Sequence, residues 1–146
     1  MPLLKATRQA QYPLMAEFTF NFDDTMVDIN GVTKNFKTFG GNPVVDAINL
    51  PANANVIGGE VAVETAYAGT TVATVSVGDS GSATRYGSAI NLMSAARTAL
   101  TLTGYRGAGE NLRLTFNLTV ADATAGKVTI RVLYTIQGRG NEVQPI

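Results

Sequence analysis

The chain has 146 residues with 11 Lys plus Arg against 11 Asp plus Glu and neither Cys nor His, so its formal net charge is zero. That balance creates no field to draw it onto phosphates or an anionic bilayer, and the missing residue types exclude thiolate or imidazole metal sites, Cys nucleophiles and Ser-His-Asp triads. One domain of this length buries about 68–70% of its unfolded surface without staples, and a composition poor in charge but rich in Thr, Ala, Gly, Val and Asn favours strands and turns over solvated helices.

Met1 to Pro13 shows no periodicity and carries two prolines, so it reads as an extended arm (residues 1–13). Leu3, Leu4, Arg8 and Tyr12 are its candidate contact residues. Either a neighbouring chain holds this arm or it lies across its own domain. Its apolar patch is too short for a signal peptide, and no later run approaches the 18 apolar residues of a membrane span. Neither a membrane nor a nucleic acid is expected as a partner. The absence of Cys suits synthesis in a reducing cytoplasm and equally suits survival outside a cell.

From residue 14 the expected domain is a β-sandwich running to residue 138. Leu14 to Phe22 alternates, with Phe18, Phe20 and Phe22 on the core face. Asn30-Gly31 is the dipeptide best suited to a type I′ turn, which predicts a hairpin pairing Ile29 with Val32. The acidic residues Asp23, Asp24 and Asp28 then belong to that hairpin rather than to a calcium loop, since Phe39 stands where an EF-hand needs its closing Glu. Short strands are expected over Asn35 to Phe39 and Val44 to Leu50, then a connector over Ala52 to Gly59. Val61, Val63, Thr65 and Tyr67 precede Ala73, Val75 and Val77 across Ala68-Gly69, the pattern of a hairpin. Glu60 and Glu64 share a strand face about 13 Å apart, too far for a glycosidase pair, and read as solvated edge residues. Asp79 reads as a turn former.

Between Ser88 and Leu100, the residues Ala89, Leu92, Met93, Ala96 and Leu100 fall at helical spacing, which predicts one short helix with Ser88 as its N-cap. Gly104 to Gly109 is a glycine-rich loop carrying Tyr105 and Arg106. A strand follows it, so it lacks the helix N-terminus of a phosphate cradle. The clearest alternation lies in Asn111 to Ile136. Leu112, Leu114, Phe116, Leu118 and Val120 oppose Arg113, Thr115, Asn117 and Thr119. After a turn, Val128, Ile130, Val132, Tyr134 and Ile136 oppose Lys127, Thr129, Arg131, Leu133 and Thr135. This predicts an antiparallel hairpin with one core face and one polar face, on which Arg113, Arg131 and Leu133 are candidate protein contacts. The Asn117-Leu118-Thr119 sequon falls inside a strand and reads as coincidence. Residues 139–146 form a polar tail.

The expected fold is therefore all-β: a jelly-roll-like antiparallel β-sandwich with an extended arm and at most one short helix. Four stretches carry a family resemblance: Val56 to Tyr67 (VIGGEVAVETAY), Val75 to Tyr86 (VSVGDSGSATRY), Ala99 to Tyr105 (ALTLTGY) and Ala125 to Val132 (AGKVTIRV). Together they resemble small capsid cement or decoration proteins of tailed bacteriophages. The resemblance implies a non-enzymatic virion protein without cofactors, made in the host cytoplasm and placed on the outer capsid surface. Its implied partners are the major capsid protein and its own copies, as a dimer or trimer. The competing expectation is a carbohydrate- or receptor-binding jelly roll of a tail or fibre, with Tyr67, Tyr86 and Tyr105 as the available stacking platforms.

Overall fold

The computed structural model describes residues 13–37, 43–119 and 121–137. The tail over 139–146 and all of the arm but Pro13 lie outside the described residues, as do Leu3, Leu4, Arg8, Tyr12 and the end of the strand expected at Asn35 to Phe39. Among the described residues ten strands follow in chain order: β1 Leu14–Asn21, β2 Thr25–Val27, β3 Thr33–Asn35, β4 Val44–Ile48, β5 Ala54–Ala68, β6 Val72–Gly78, β7 Gly87–Asn91, β8 Arg97–Ala99, β9 Leu112–Thr119 and β10 Ala125–Ile136. They form two four-stranded antiparallel sheets, β1-β10-β5-β8 and β4-β9-β6-β7, with β2 and β3 paired apart. The protein is an all-β sandwich, and its strand order is compatible with a jelly roll.

Both long hairpins expected from the sequence are corrected. β9 pairs with β4 and β6 while β10 pairs with β1 and β5, and β5 and β6 likewise belong to different sheets. Outside the β2–β3 hairpin, the chain changes sheet at every connection except β6 to β7. The physical reason lies in what alternation specifies. A strand's apolar face is buried by the sheet packed over it whichever strands lie beside it, so alternation specifies which face is inward and not which strands pair. Leu112, Leu114 and Phe116 thus meet Val128, Ile130 and Val132 across the sandwich interior, and all six are fully or almost fully buried. Phe20 of β1 completes the junction. Its ring lies 5.3 Å edge-on from Phe116 and 4.5 Å, stacked, from Phe36.

The β2–β3 hairpin is present with a different turn. Thr25 pairs with Asn35 and Val27 with Thr33, and a longer loop spans Asp28 to Val32. Gly31 has φ +80° while Asn30 stays out of the left-handed region, so the type I′ geometry is not adopted. Ile29 does not pair with Val32: its amide donates to the Val44 carbonyl, whereas the Asp28 amide donates to that of Val32. Asp28 also closes the loop through its carboxylate, which accepts from the amides of Asn30 and Val32 at 2.9 Å each. An Asx-type turn with this much side-chain support outcompetes the two-residue turn.

The short helix over Ser88 to Leu100 is absent. β7 and β8 occupy that stretch, and the chain crosses between sheets along the edge of β5. The Tyr67 amide donates to the Leu92 carbonyl, the Val63 amide to that of Ala96 and the Leu100 amide to that of Gly59. A helix would consume those carbonyls internally and leave edge amides of β5 unpaired, at a cost of about 1–3 kcal/mol for each one buried. Of the helically spaced residues, Leu92 and Leu100 are buried just past the ends of β7 and β8, while Ala89 and Ala96 are exposed. β5 also starts earlier than its connector-like composition suggests, at Ala54, just after Asn53 takes φ +65°.

Candidate protein-contact surface

The polar face expected to unite Arg113, Arg131 and Leu133 is divided. Since β9 and β10 lie in opposite sheets, Arg113 faces out on one side of the sandwich while Arg131 and Leu133 face out on the other. Sequence alternation placed all three outside correctly but could not say on which side.

The outer face of β1-β10-β5-β8 is built in rows across the strands. Register aligns Met15, Leu133 and Gly58 in one row, Glu17, Arg131 and Glu60 in the next, and Thr19, Thr129 and Ala62 in a third. In the first row Leu133 lies over Gly58, whose added Cβ would come within 3.3 Å of Leu133 Cδ1. Ile57 is the extra residue of a bulge where the register passes from Leu133/Gly58 to Tyr134/Val56. Met15, Leu133 and Ile57 are all exposed, forming an apolar corner.

The second row is an alternating chain of charges. Arg131 donates from Nε to Glu17 and from Nη1 to Glu60, both at 3.0 Å, and Arg97 of β8 donates from Nε to Glu60 at 2.8 Å. The Arg97 hydrogen bond, with Arg131 behind it, holds the Glu60 carboxyl below its ordinary range. Further along, Glu64 accepts from Lys127 at 3.0 Å and Thr129 at 2.9 Å, and these bonds lower its carboxyl likewise. Glu60 and Glu64 are therefore ion-pair partners within a sheet, Glu60 largely covered and Glu64 exposed as expected. Met15, Glu17, Ile57 and Arg97 escaped sequence reasoning as contact candidates. Alternation on β1 marked Glu17 as outward, but its alignment with Arg131 depends on long-range register.

On the opposite face Arg113 donates from Nε to Asp46 at 2.6 Å, and Asn111 also reaches Asp46. Around this pair the face is uncharged and small, with Thr74, Ser76, Thr115 and Asn117 in cross-strand alignment.

At one end of the sandwich, Asp79 turns the chain as expected. Its carboxylate accepts from the amides of Gly81 and Ser82 and pairs with Arg85, whose guanidinium carbon sits 3.5 Å above the Tyr105 ring centre. Burial works to raise the Asp79 pKa, but the Arg85 hydrogen bond and the two amides outweigh it and leave it lowered. Tyr105 donates to Glu110 at 2.6 Å, and the Glu110 carboxylate also accepts from the Ala108 amide. The Gly104 to Gly109 loop is therefore tied down at Tyr105, Gly107 and Ala108, while Gly104, Arg106, Ala108 and Gly109 stay exposed. Of the three candidate stacking tyrosines, Tyr67 and Tyr86 are buried, and Tyr105 is half-buried with Arg85 over one face of its ring. Tyr67 further donates to the Phe36 carbonyl at 3.2 Å, and burial pushes its pKa up. Among the described residues no cluster of carboxylates could hold a metal ion.

The sandwich is similar in fold to chains in two solved phage structures. One comes from the acid-stable capsid of Helicobacter pylori bacteriophage KHP30, at 18% identity and TM-score 0.60, covering 98% of each chain. The other comes from the capsid asymmetric unit of cyanophage Pam1, at 20% identity and TM-score 0.56, covering 90% of this chain and 86% of that one. Neither a protein-family model nor a curated protein matches the sequence.

Proposed function

We propose that the protein is a non-enzymatic structural component of a bacteriophage virion, a cement or decoration protein. It sits on the outer surface of the capsid, bridges neighbouring major capsid subunits and stabilises the DNA-filled head. The observation that carries this reading is the end-to-end match in length with a chain of the KHP30 capsid structure.

The chemistry of the surface agrees. Its ion pairs are made within the chain, and carboxylates that could serve a reaction, Glu60, Glu64, Asp79 and Glu110, are each occupied by cations, hydroxyls or amides. A groove beside β1, lined by Phe18, Phe20, Met26 and Phe36, runs along a strand that, among the described residues, is paired on one side only. Such an edge accepts an extended segment by strand addition. Repetition over a shell lets modest contacts sum through multivalency. The arm over residues 1–13, with Leu3, Leu4, Arg8 and Tyr12, is the proposed grip on the shell.

The test is binding of purified protein to DNA-filled heads that lack it, followed by electron microscopy. The expected outcome is a regular array on the outer surface and heads that withstand higher temperature. Removing residues 1–13 should abolish the array; unchanged binding would discard the arm's role, and failure of the full chain to bind heads would discard the cement reading.

A further inference from the structure

The rows on the outer face of β1-β10-β5-β8 have a symmetry that single contacts do not reveal. Crossing the sheet from β1 to β8, the chain of ionic contacts alternates in sign: Glu17, Arg131, Glu60 and then Arg97, which stands on β8 opposite Ala62 and reaches back along the strand to Glu60 with its guanidinium. A two-fold axis lying in the face and running along the strands would bring a second copy face to face with the first. That operation reverses order across the strands and preserves position along them. Glu17 then faces Arg97 of the copy and Arg131 faces Glu60, so every charge in the row meets its opposite. The apolar corner stays level with its counterpart. There Met15, Ile57 and Leu133 are 59%, 40% and 37% exposed.

From this self-complementarity we infer that the outer face of β1-β10-β5-β8 is a dimerisation surface, whose occupant is a second copy of this chain packed sheet on sheet about a two-fold axis along the strands. Isologous contact requires a patch complementary to itself, and an alternating row of even length meets that requirement. Sheets packed this way keep their strands within about 30° of each other. Three strands at about 4.8 Å spacing and eight residues at about 3.4 Å rise, with the three residues of β8 beside them, give a face of ~440 Å² per copy. That lies toward the small end of specific interfaces, so the dimer should dissociate on dilution. The rim charges contribute register and selectivity more than affinity. Self-association is measured on the free protein and shell binding on heads, so either can fail without the other.

Sedimentation velocity over a concentration series tests the assignment. The full chain should pass from monomer to dimer, and Met15→Gln combined with Leu133→Asn should raise the dissociation constant at least tenfold with the thermal transition retained. The charge row permits a sharper test. Arg97→Glu sets like charges opposite Glu17 of the copy, and Glu17→Arg sets like charges opposite Arg97, so each variant alone should remain monomeric. Mixed in equal amounts the two should dimerise, because both cross-copy pairs are then of opposite sign. A monomeric wild type at every concentration, a trimer, a dimer indifferent to these substitutions, or a mixture that stays monomeric would each overturn the inference.

Discussion

The contact between Phe20 and Phe116 is the most direct probe of how the chain is laid out. Phe20 stands on β1 and Phe116 on β9, in opposite sheets, with ring centres 5.3 Å apart and planes at 88°. Had β9 paired with β10 in one sheet, β1 and β9 would stand two strands apart, about 10 Å, and the rings would not touch. Truncation to Ala at either position would cost about 3–5 kcal/mol, a large share of a total stability of about 5–15 kcal/mol. Leu is therefore the better substitution, at about 1–2 kcal/mol each. An edge-to-face pair contributes about 0.5–1.5 kcal/mol beyond its buried area. The double variant Phe20→Leu/Phe116→Leu should accordingly lose less than the sum of the singles by that amount. Urea unfolding followed by circular dichroism, with unchanged m values, supplies the four stabilities. Additivity within about 0.3 kcal/mol, the behaviour of independent sites, would refute the cross-sheet contact.

Two further outcomes follow from local geometry. At Gly126, φ is +155° and an added Cβ would fall 2.5 Å from Cδ2 of the buried Tyr67 ring. Gly126→Ala should therefore destabilise by about 1–3 kcal/mol in thermal unfolding, as overpacking does, and a neutral result would contradict the close approach. For Asp79, the folded pKa is lowered, so its charge contributes stability above the ordinary carboxylate pKa of about 4. That contribution is lost as pH falls through the folded value. Asp79→Asn keeps an acceptor for the Gly81 and Ser82 amides while removing the charge held by Arg85. The variant should melt below wild type at pH 7, and the gap should close as pH drops below about 4; a gap that persists in acid would mean the charge is not what stabilises the turn.

Much of the core was legible because burial in strands follows a period of two. Phe20, Leu112, Leu114, Phe116, Val128, Ile130 and Val132 were all read as inward, and all are buried. The turn role of Asp79 and the hairpin near Asn30-Gly31 were also legible, since turn chemistry is local. The helix over Ser88 to Leu100 was misread because spacing alone cannot tell one buried helical face from a chain that buries Leu92 and Leu100 just beyond the ends of two short strands.

The candidate surface was half legible. Arg131 and Leu133 were marked as outward by alternation, yet Glu17, Met15 and Glu60 are set beside them by register with two other strands far away in the chain, and Arg97 of a third, opposite Ala62, joins by reaching back to Glu60. Arg113, read as their neighbour, belongs to the other side.

By itself, then, the sequence determined a chain without Cys or His chemistry, the all-β class, and which side of each main strand is apolar. These follow from composition and from side-chain period, which neighbours along the chain suffice to set. Only the tertiary structure decided which strands pair and on which face the polar side chains gather. A strand's apolar face is buried by the layer packed over it whether the next strand in the chain lies beside it or in the sheet opposite. The choice between them rests on hydrogen bonds and packing between residues far apart in the chain.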